Sequence, residues 1–388
     1  HPAAYGEDRS DGTHPIQQQL SNLNEAGTLY GRIIYQKAPV VMRMLEEKIG
    51  EQALRDGLRK YLQEFAFANA SWDDLIQILD ESTTEDLAAW STVWVKRAGM
   101  PTFRLERSID EGAEHTTLRY LPAPSDSLFR SQQIRLAIFY ADSIVEQSLQ
   151  LDPSKIKENY LRFEGRPKAI ASHASPASYG YFPLDAQSSK WFLQHISEVA
   201  SPVHRGAIWL SLNEDFLRGQ IEPAVYFQAL AQQIGREQNA LLQNYILAQL
   251  ENVYWRFLSA EQRAELGPPV EESLRNAMEE VVNPSVALTF FRTYYAIAER
   301  PASVQHMLKV WKSQQIRSDL LLSEQEAIEL MAALAIRLPD QAKGLIEQQQ
   351  QRTTSEDRRR RLQYLAPALS PEKAERDHFF ASLKQVGN

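Results

Sequence analysis

The sequence predicts a mainly α-helical protein with a small antiparallel β-sandwich set between two helical regions. Apolar residues recur at three- and four-residue steps from Pro39 to Trp94 and again from Trp191 to the end, as they do on one face of a helix. Between Phe103 and Tyr140 the period drops to two, the mark of half-buried strands. With 388 residues, 43% of them apolar, the chain can build cores for two or three domains.

The first strong helix is expected from Pro39, where Val41, Met44, Leu45, Lys48 and Ile49 follow helical spacing. Proline suits the first helical position and Gly50 the residue just past the end. A second stripe runs through Leu54, Leu58, Tyr61, Leu62 and Phe65. Ser71 with Asp74, and Thr83 with Asp86, have capping-box spacing ahead of Leu75, Ile78 and Leu79 and of Leu87, Trp90 and Trp94. The two tryptophans, one turn apart beside Leu87, read as core. Gly99 and Pro101 close the helical run.

Strands are then expected at Phe103 and Leu105, at Leu118 and Tyr120, and at Ile134, Leu136, Ile138 and Tyr140. The turn sequences Asp-Glu-Gly (110–112) and Pro-Ala-Pro-Ser (122–125) separate them, and the sandwich reaches to about Asp185. Helical spacing returns at Trp191 and lasts about 200 residues. Helix starts are marked by Ser259 before Gln262, Ser323 before Glu326, and Ser370 before Pro371. These starts stand 64 and 47 residues apart, so the expected array of helix pairs is irregular, curved like a solenoid but without a fixed repeat. The domain boundaries expected are 1–100, 101–185 and 186–388.

Composition excludes several functions. Charged residues make up 24% of the chain, the net charge is −8 and the two signs are interleaved, which argues against a nucleic-acid partner. The basic run 358–361 follows Thr354 and Asp357, read as a helix cap, and with Glu356 and Asp357 beside it reads as a solvated helix face. Gln348 to Gln351 reads as a polar helix end. No window approaches the ~18 apolar residues of a membrane span. The absence of cysteine rules out disulfides and thiolate chemistry and leaves the compartment open; oligomeric state is likewise open. The chain begins at His1, and its opening "HPAAYGEDRSDGTHP" has no signal-peptide pattern, so a piece of a longer protein is expected.

The eight histidines are His1, His14, His115, His173, His195, His204, His306 and His378, and no two stand four apart. The adjacent-turn pair that holds zinc in His-Glu-x-x-His peptidases is therefore missing. Gly-x-Ser-x-Gly, the phosphate-binding Gly-x-x-x-x-Gly-Lys loop and the dinucleotide fingerprint are missing as well.

One ordered set of residues does carry a functional signal. Thr13-His14-Pro15-Ile16 is followed by Ile34-Tyr35-Gln36-Lys37 leading into Val40-Val41-Met42-Arg43-Met44-Leu45. Then come Ile49-Gly50-Glu51, Gly57-Leu58-Arg59-Lys60-Tyr61-Leu62, Trp72-Asp73-Asp74-Leu75, Asp86-Leu87, Trp94 and Gly99-Met100-Pro101. This order resembles the M1 family of zinc aminopeptidases, the gluzincins, just downstream of their metal site. Tyr179-Gly180-Tyr181-Phe182, and Arg205 with Trp209, are similar to that family's approach to its helical domain.

The resemblance implies a layout: the helical end of a thermolysin-like catalytic domain, then an antiparallel β-sandwich, then an α-helical C-terminal domain. It also implies a role for Tyr35, which matches the catalytic tyrosine of the family's Tyr-Glu-Lys-Gly run. A phenolic O–H is a donor at neutral pH and can stabilise the oxyanion that forms as water attacks a peptide carbonyl. Three positions depart from the pattern: Gln36 replaces the acid, and Ala38 and Pro39 replace the glycine and small residue after the lysine. Alanine takes positive φ less freely than glycine, and proline removes a backbone donor.

The family's Gly-x-Met-Glu-Asn segment and its zinc motif lie upstream of the resembling region and match nothing here. The expectation is a downstream portion of an enzyme acting on peptide substrates, with zinc in the parent protein, none bound by this segment, and no activity of the segment alone. The alternative is a non-catalytic helical scaffold or protein-interaction module.

Overall fold

The structure is a computed structural model and describes residues 2–19, 22, 27, 31–110, 113–124, 127–151, 160, 161, 163 and 165–384; the side chains of 108–110, 113–115 and 160 are outside that description. His1, the His115 side chain, Glu111 and Gly112 of the first expected turn and Ser125 of the second therefore lie outside the described residues. The chain divides into two compact units, His1–Ile221 and Glu222–Asn388.

The first unit opens with helix α1 (Pro2–Asp8) and, after the Thr13-His14-Pro15 segment, a π-helical turn at Ile33–Lys37 that runs straight into α2 (Ala38–Ile49). Helix α2 buries Val40, Val41, Met44 and Leu45 and ends at Gly50, whose φ of +88° suits glycine. Helix α3 (Glu51–Glu64) packs through one side only: Leu54, Leu58 and Tyr61 are half-buried, while Leu62, expected in the same stripe, is 69% exposed. Close approach to α4 (Trp72–Asp80) is possible because residue 57 is glycine; a Cβ there would stand 2.3 Å from Leu79 Cδ2.

The Ser71 and Asp74 capping box is present in full at the start of α4. At α5 (Leu87–Trp94) the expectation needs correction. The cap is Asp86, whose carboxylate accepts from Ala89 N at 2.8 Å, while the Thr83 hydroxyl accepts from Glu85 N in the turn before it. The chain is still extended at Asp86, so that carboxylate is the group within reach of the first free N–H donors. Trp90 and Trp94 are both core, with Leu87, Met44 and Leu45 in the same cluster.

Among the described residues six strands come next: β1 (Thr102–Asp110), β2 (Ala113–Leu121), β3 (Gln132–Phe139), β4 (Ile144–Leu151), β5 (Tyr160–Leu161) and β6 (Ala169–Ala171). They form two three-stranded antiparallel sheets, ordered β1-β2-β5 and β4-β3-β6. Phe103, Leu105 and Leu118 from one sheet meet Ile134, Leu136, Ile138 and Ile170 from the other in a single core, as period-two alternation requires. Helices α6 (Ala186–His195), capped by Asp185, and α7 (Pro202–Leu217), capped by Ser201, complete the unit.

The second unit is built from α8 (Pro223–Ala231), α9 (Ala240–Arg256), α10 (Ala260–Glu280), α11 (Pro284–Ile297), α12 (Pro301–Ser313), α13 (Glu324–Arg337), α14 (Ala342–Arg352), α15 (Glu356–Leu365) and α16 (Lys373–Ser382). The capping boxes at Ser259 and Ser323 are both formed. Three local readings change. Helix α16 starts at Lys373, with the Ser370 hydroxyl accepting from Glu372 N at 3.1 Å ahead of it. Ser355 rather than Thr354 caps α15, because the Thr354 hydroxyl is directed to Glu324 at 2.7 Å. Gln349 is buried, and its Oε1 accepts from Trp311 Nε1 at 2.8 Å, so the glutamine run is not wholly a solvated helix end. A two-stranded ribbon, β7 (Gln315–Arg317) with β8 (Leu320–Leu321), also interrupts the helices where helical spacing alone was expected. No helix among the described residues is long and apolar enough to cross a membrane.

Candidate functional site

The turn that carries Tyr35 is π-helical because Pro39 lies just beyond it. Proline has no N–H to give the carbonyl four residues back, that of Tyr35, and its ring crowds that position; the preceding turn opens, and Ala38 N bonds to Ile33 O, five residues back. The wider turn divides its side chains. Ile33 and Lys37 point inward and are buried, whereas Tyr35 and Gln36 point outward, with Tyr35 65% exposed.

Lys37 anchors the turn. Its Nζ donates to Asp8 Oδ2 at 2.8 Å and to Gly99 O at 2.9 Å, and it lies 5.0 Å from the centre of the Tyr179 ring. The Lys37 and Asp8 side chains are 1% and 0% exposed. Asp8, at the end of α1, also accepts from Tyr179 Oη at 2.9 Å and from Thr13 Oγ1 at 2.7 Å. Thr13 Oγ1 in turn accepts from Gly99 N at 3.1 Å. Burial of so many polar groups is tolerated because each is answered by a charge or a hydrogen bond. Tyr5 packs edge-on to Tyr179 at 5.0 Å, and burial raises both phenols above their ordinary range, so both stay protonated donors.

A second polar layer comes from α7. Glu214 pairs with Arg9 and stands 3.8 Å from Arg218. Asp215 accepts from Tyr181 Oη at 2.7 Å and from Leu184 N at 3.1 Å, and burial pushes its carboxyl up to about 6. The Arg218 guanidinium covers the Tyr181 ring at 4.1 Å.

Thr13, Lys37, Gly99, Tyr179 and Tyr181, which the sequence motifs single out, thus converge on carboxylates that no motif marks. Asp8, Glu214 and Asp215 carry no local signal: Asp8 stands among Glu7 and Asp11 with nothing to set it apart. Arg205 and Trp209 are structural here, the first donating to Val199 O and Ala200 O, the second fully buried.

Three of the described histidines make polar side-chain contacts. His14 Nδ1 meets Pro15 O and Gln18, His195 pairs with Glu198, and His204 with Glu146. Among the described residues no group of three His, Asp or Glu side chains is placed to hold a metal ion.

The profile of the peptidase family M1 domain matches residues 2–94, the stretch that contains Asp8, the π turn and α2 to α5. Residues 2–94 are thus similar to the family M1 peptidase domain. The chain is also similar to curated aminopeptidases, over stretches longer than residues 2–94. Aminopeptidase N of Streptomyces lividans is 25% identical over 248 residues, 60% of this chain and 29% of that protein. The alanine/arginine aminopeptidase of Saccharomyces cerevisiae is 30% identical over 112 residues, 28% of this chain and 13% of that one. The chain therefore spans less than a third of either relative. Over nearly the whole chain the likeness is one of fold: the crystal structure of Legionella pneumophila aminopeptidase A, solved with aspartic acid, superposes on 93% of this chain and 46% of its own with a TM-score of 0.61 at 13% identity. That agrees with a mainly α-helical fold bearing small antiparallel sheets.

Proposed function

We propose that the chain is the downstream portion of a zinc-dependent M1 aminopeptidase that hydrolyses N-terminal residues from peptides, and that Tyr35 donates its phenolic O–H to the oxyanion formed in that reaction. One observation carries the reading: Tyr35 stands exposed on a π turn whose opposite face is pinned to a buried carboxylate by Lys37, two residues on. An exposed donor on a fixed backbone meets the requirement of oxyanion stabilisation, which is a donor already in place when charge develops. π turns inside helices are also frequent at functional sites.

In this reading residues 1–100 complete the catalytic domain and 101–185 brace it. The zinc ligands belong to the full-length protein outside the described residues, and the 388-residue chain alone hydrolyses nothing. The test is Tyr35→Phe in the full-length protein, with kcat, KM, zinc content and melting temperature measured on matched preparations. A full-length protein that lacks a zinc motif and any peptidase activity would instead be the helical scaffold that is the competing reading.

A further inference from the structure

The second unit holds a groove of about 860 Å³ between the C-terminal turns of α9, α11 and α13 and the start of α12. Its size is that of a small-molecule site, and its walls are mostly apolar. Trp255 is 41% exposed and Ile336 67% exposed, unusual for large apolar side chains at one depression. Apart from the exposed Gln305, the other polar side chains beside Glu251 are already engaged. Arg337 donates to the backbone carbonyls of Ala298, Ala296 (2.7 Å) and Ala333 (3.0 Å). Trp255 Nε1 donates to Ala296 O at 3.1 Å, and Tyr295 Oη to Glu329 at 3.0 Å. Glu299 accepts from Tyr254 at 2.8 Å and lies 3.8 Å from Arg263.

Glu251 is different. It lines the same groove one helical turn before Trp255, on the same face of α9, and among the described residues it has neither a hydrogen bond nor an ion pair. The residue as a whole is exposed, and partial desolvation of its carboxyl raises it above the ordinary range. We infer that this groove binds a primary ammonium carried on an apolar body, the ammonium meeting Glu251 and the body lying against Trp255 and Ile336. The inference is independent of the peptidase reading. An α-amino acid is a poor occupant, because its carboxylate finds no free cation: Arg337 is the only Lys or Arg among the described lining residues, and it is bound to carbonyls.

The test uses the whole chain and calorimetric titration with 2-phenylethylammonium, with L-phenylalanine and phenylacetate as comparisons. Saturable binding is expected for the amine, about tenfold weaker binding for Glu251→Gln, and equally weakened binding for phenylalanine, since a charge-assisted contact is lost or opposed. Ile336→Ser, at an exposed position that does not hold the fold, is expected to weaken the amine as well. Unchanged melting temperatures show that both variants are folded. The inference is overturned by no saturation up to about 20 mM amine, a Kd beyond any specific site, by full-strength binding to Glu251→Gln, or by phenylalanine binding as well as the amine.

Discussion

Lys37 Nζ stands 2.8 Å from Asp8 Oδ2 with both side chains closed to solvent, while Tyr35, two residues earlier on the same π turn, faces outward. The ion pair thus fixes the backbone from which the tyrosine projects. A buried pair of this kind adds little net stability over a well-packed apolar pair, but breaking it leaves one charge uncompensated.

Lys37→Met is accordingly expected to lower the unfolding free energy by about 3 to 5 kcal/mol, and Asp8→Asn by a similar amount. The double variant should lose clearly less than the sum, since neither charge is then stranded. Urea unfolding of the three variants measures this; strict additivity would show that the two groups are not coupled.

Tyr35→Phe should behave in the opposite way. The hydroxyl of an exposed residue holds no core, so the melting temperature should stay within experimental error. If the full-length protein is the aminopeptidase proposed, kcat should fall roughly 100- to 1000-fold, the loss of one oxyanion donor, with a smaller change in KM. A kcat close to wild type at full zinc occupancy would remove Tyr35 from the reaction.

His173 sets an acid dependence. Burial lowers its pKa to about 4, in a site where the ring stacks on Phe182 at 4.6 Å. The folded chain keeps the ring neutral while the unfolded chain protonates near the ordinary value of about 6.5, so stability is lost as pH falls from about 6.5 to 4. The loss attributable to this residue approaches about 3 kcal/mol below pH 4. His173→Gln cannot take up that proton, and the stability gap between wild type and variant should narrow across this window. A gap constant from pH 7 to pH 4.5 would show that the ring is not buried neutral.

The chain should also separate between Ile221 and Glu222. Helix α7 carries Glu214 and Asp215, whose partners Arg9 and Tyr181 lie in the first unit, so a fragment starting at Ala186 strands two buried carboxylates. Residues 222–388 are expected to melt cooperatively with strong helical circular dichroism, and at a higher temperature than 186–388. The reverse order would place α6 and α7 with the second unit.

Much of the fold was legible because its causes are local. Ser71 caps α4 through Asp74, and Ser259 and Ser323 cap α10 and α13 through residues three positions on; such bonds depend only on spacing along one turn. Period two between Phe103 and Tyr140 likewise determined which residues face the sandwich core, because alternation is a property of the extended backbone itself. Where two candidates stood close together, as Thr83 with Asp86 or Thr354 with Ser355, the backbone conformation and a distant carboxylate chose between them.

By itself the sequence determined the helical and strand periods, the capping chemistry and the placing of Tyr35 in the turn ahead of α2. Only the tertiary structure decided that Lys37 turns inward to Asp8, 29 residues away, that Tyr179 joins them from 171 residues away, and that Glu251 faces an apolar groove without a partner. The reason is physical: hydrogen bonds within a turn depend on spacing alone, whereas whether a charge is buried, and what answers it, depends on segments that meet only once the chain has folded.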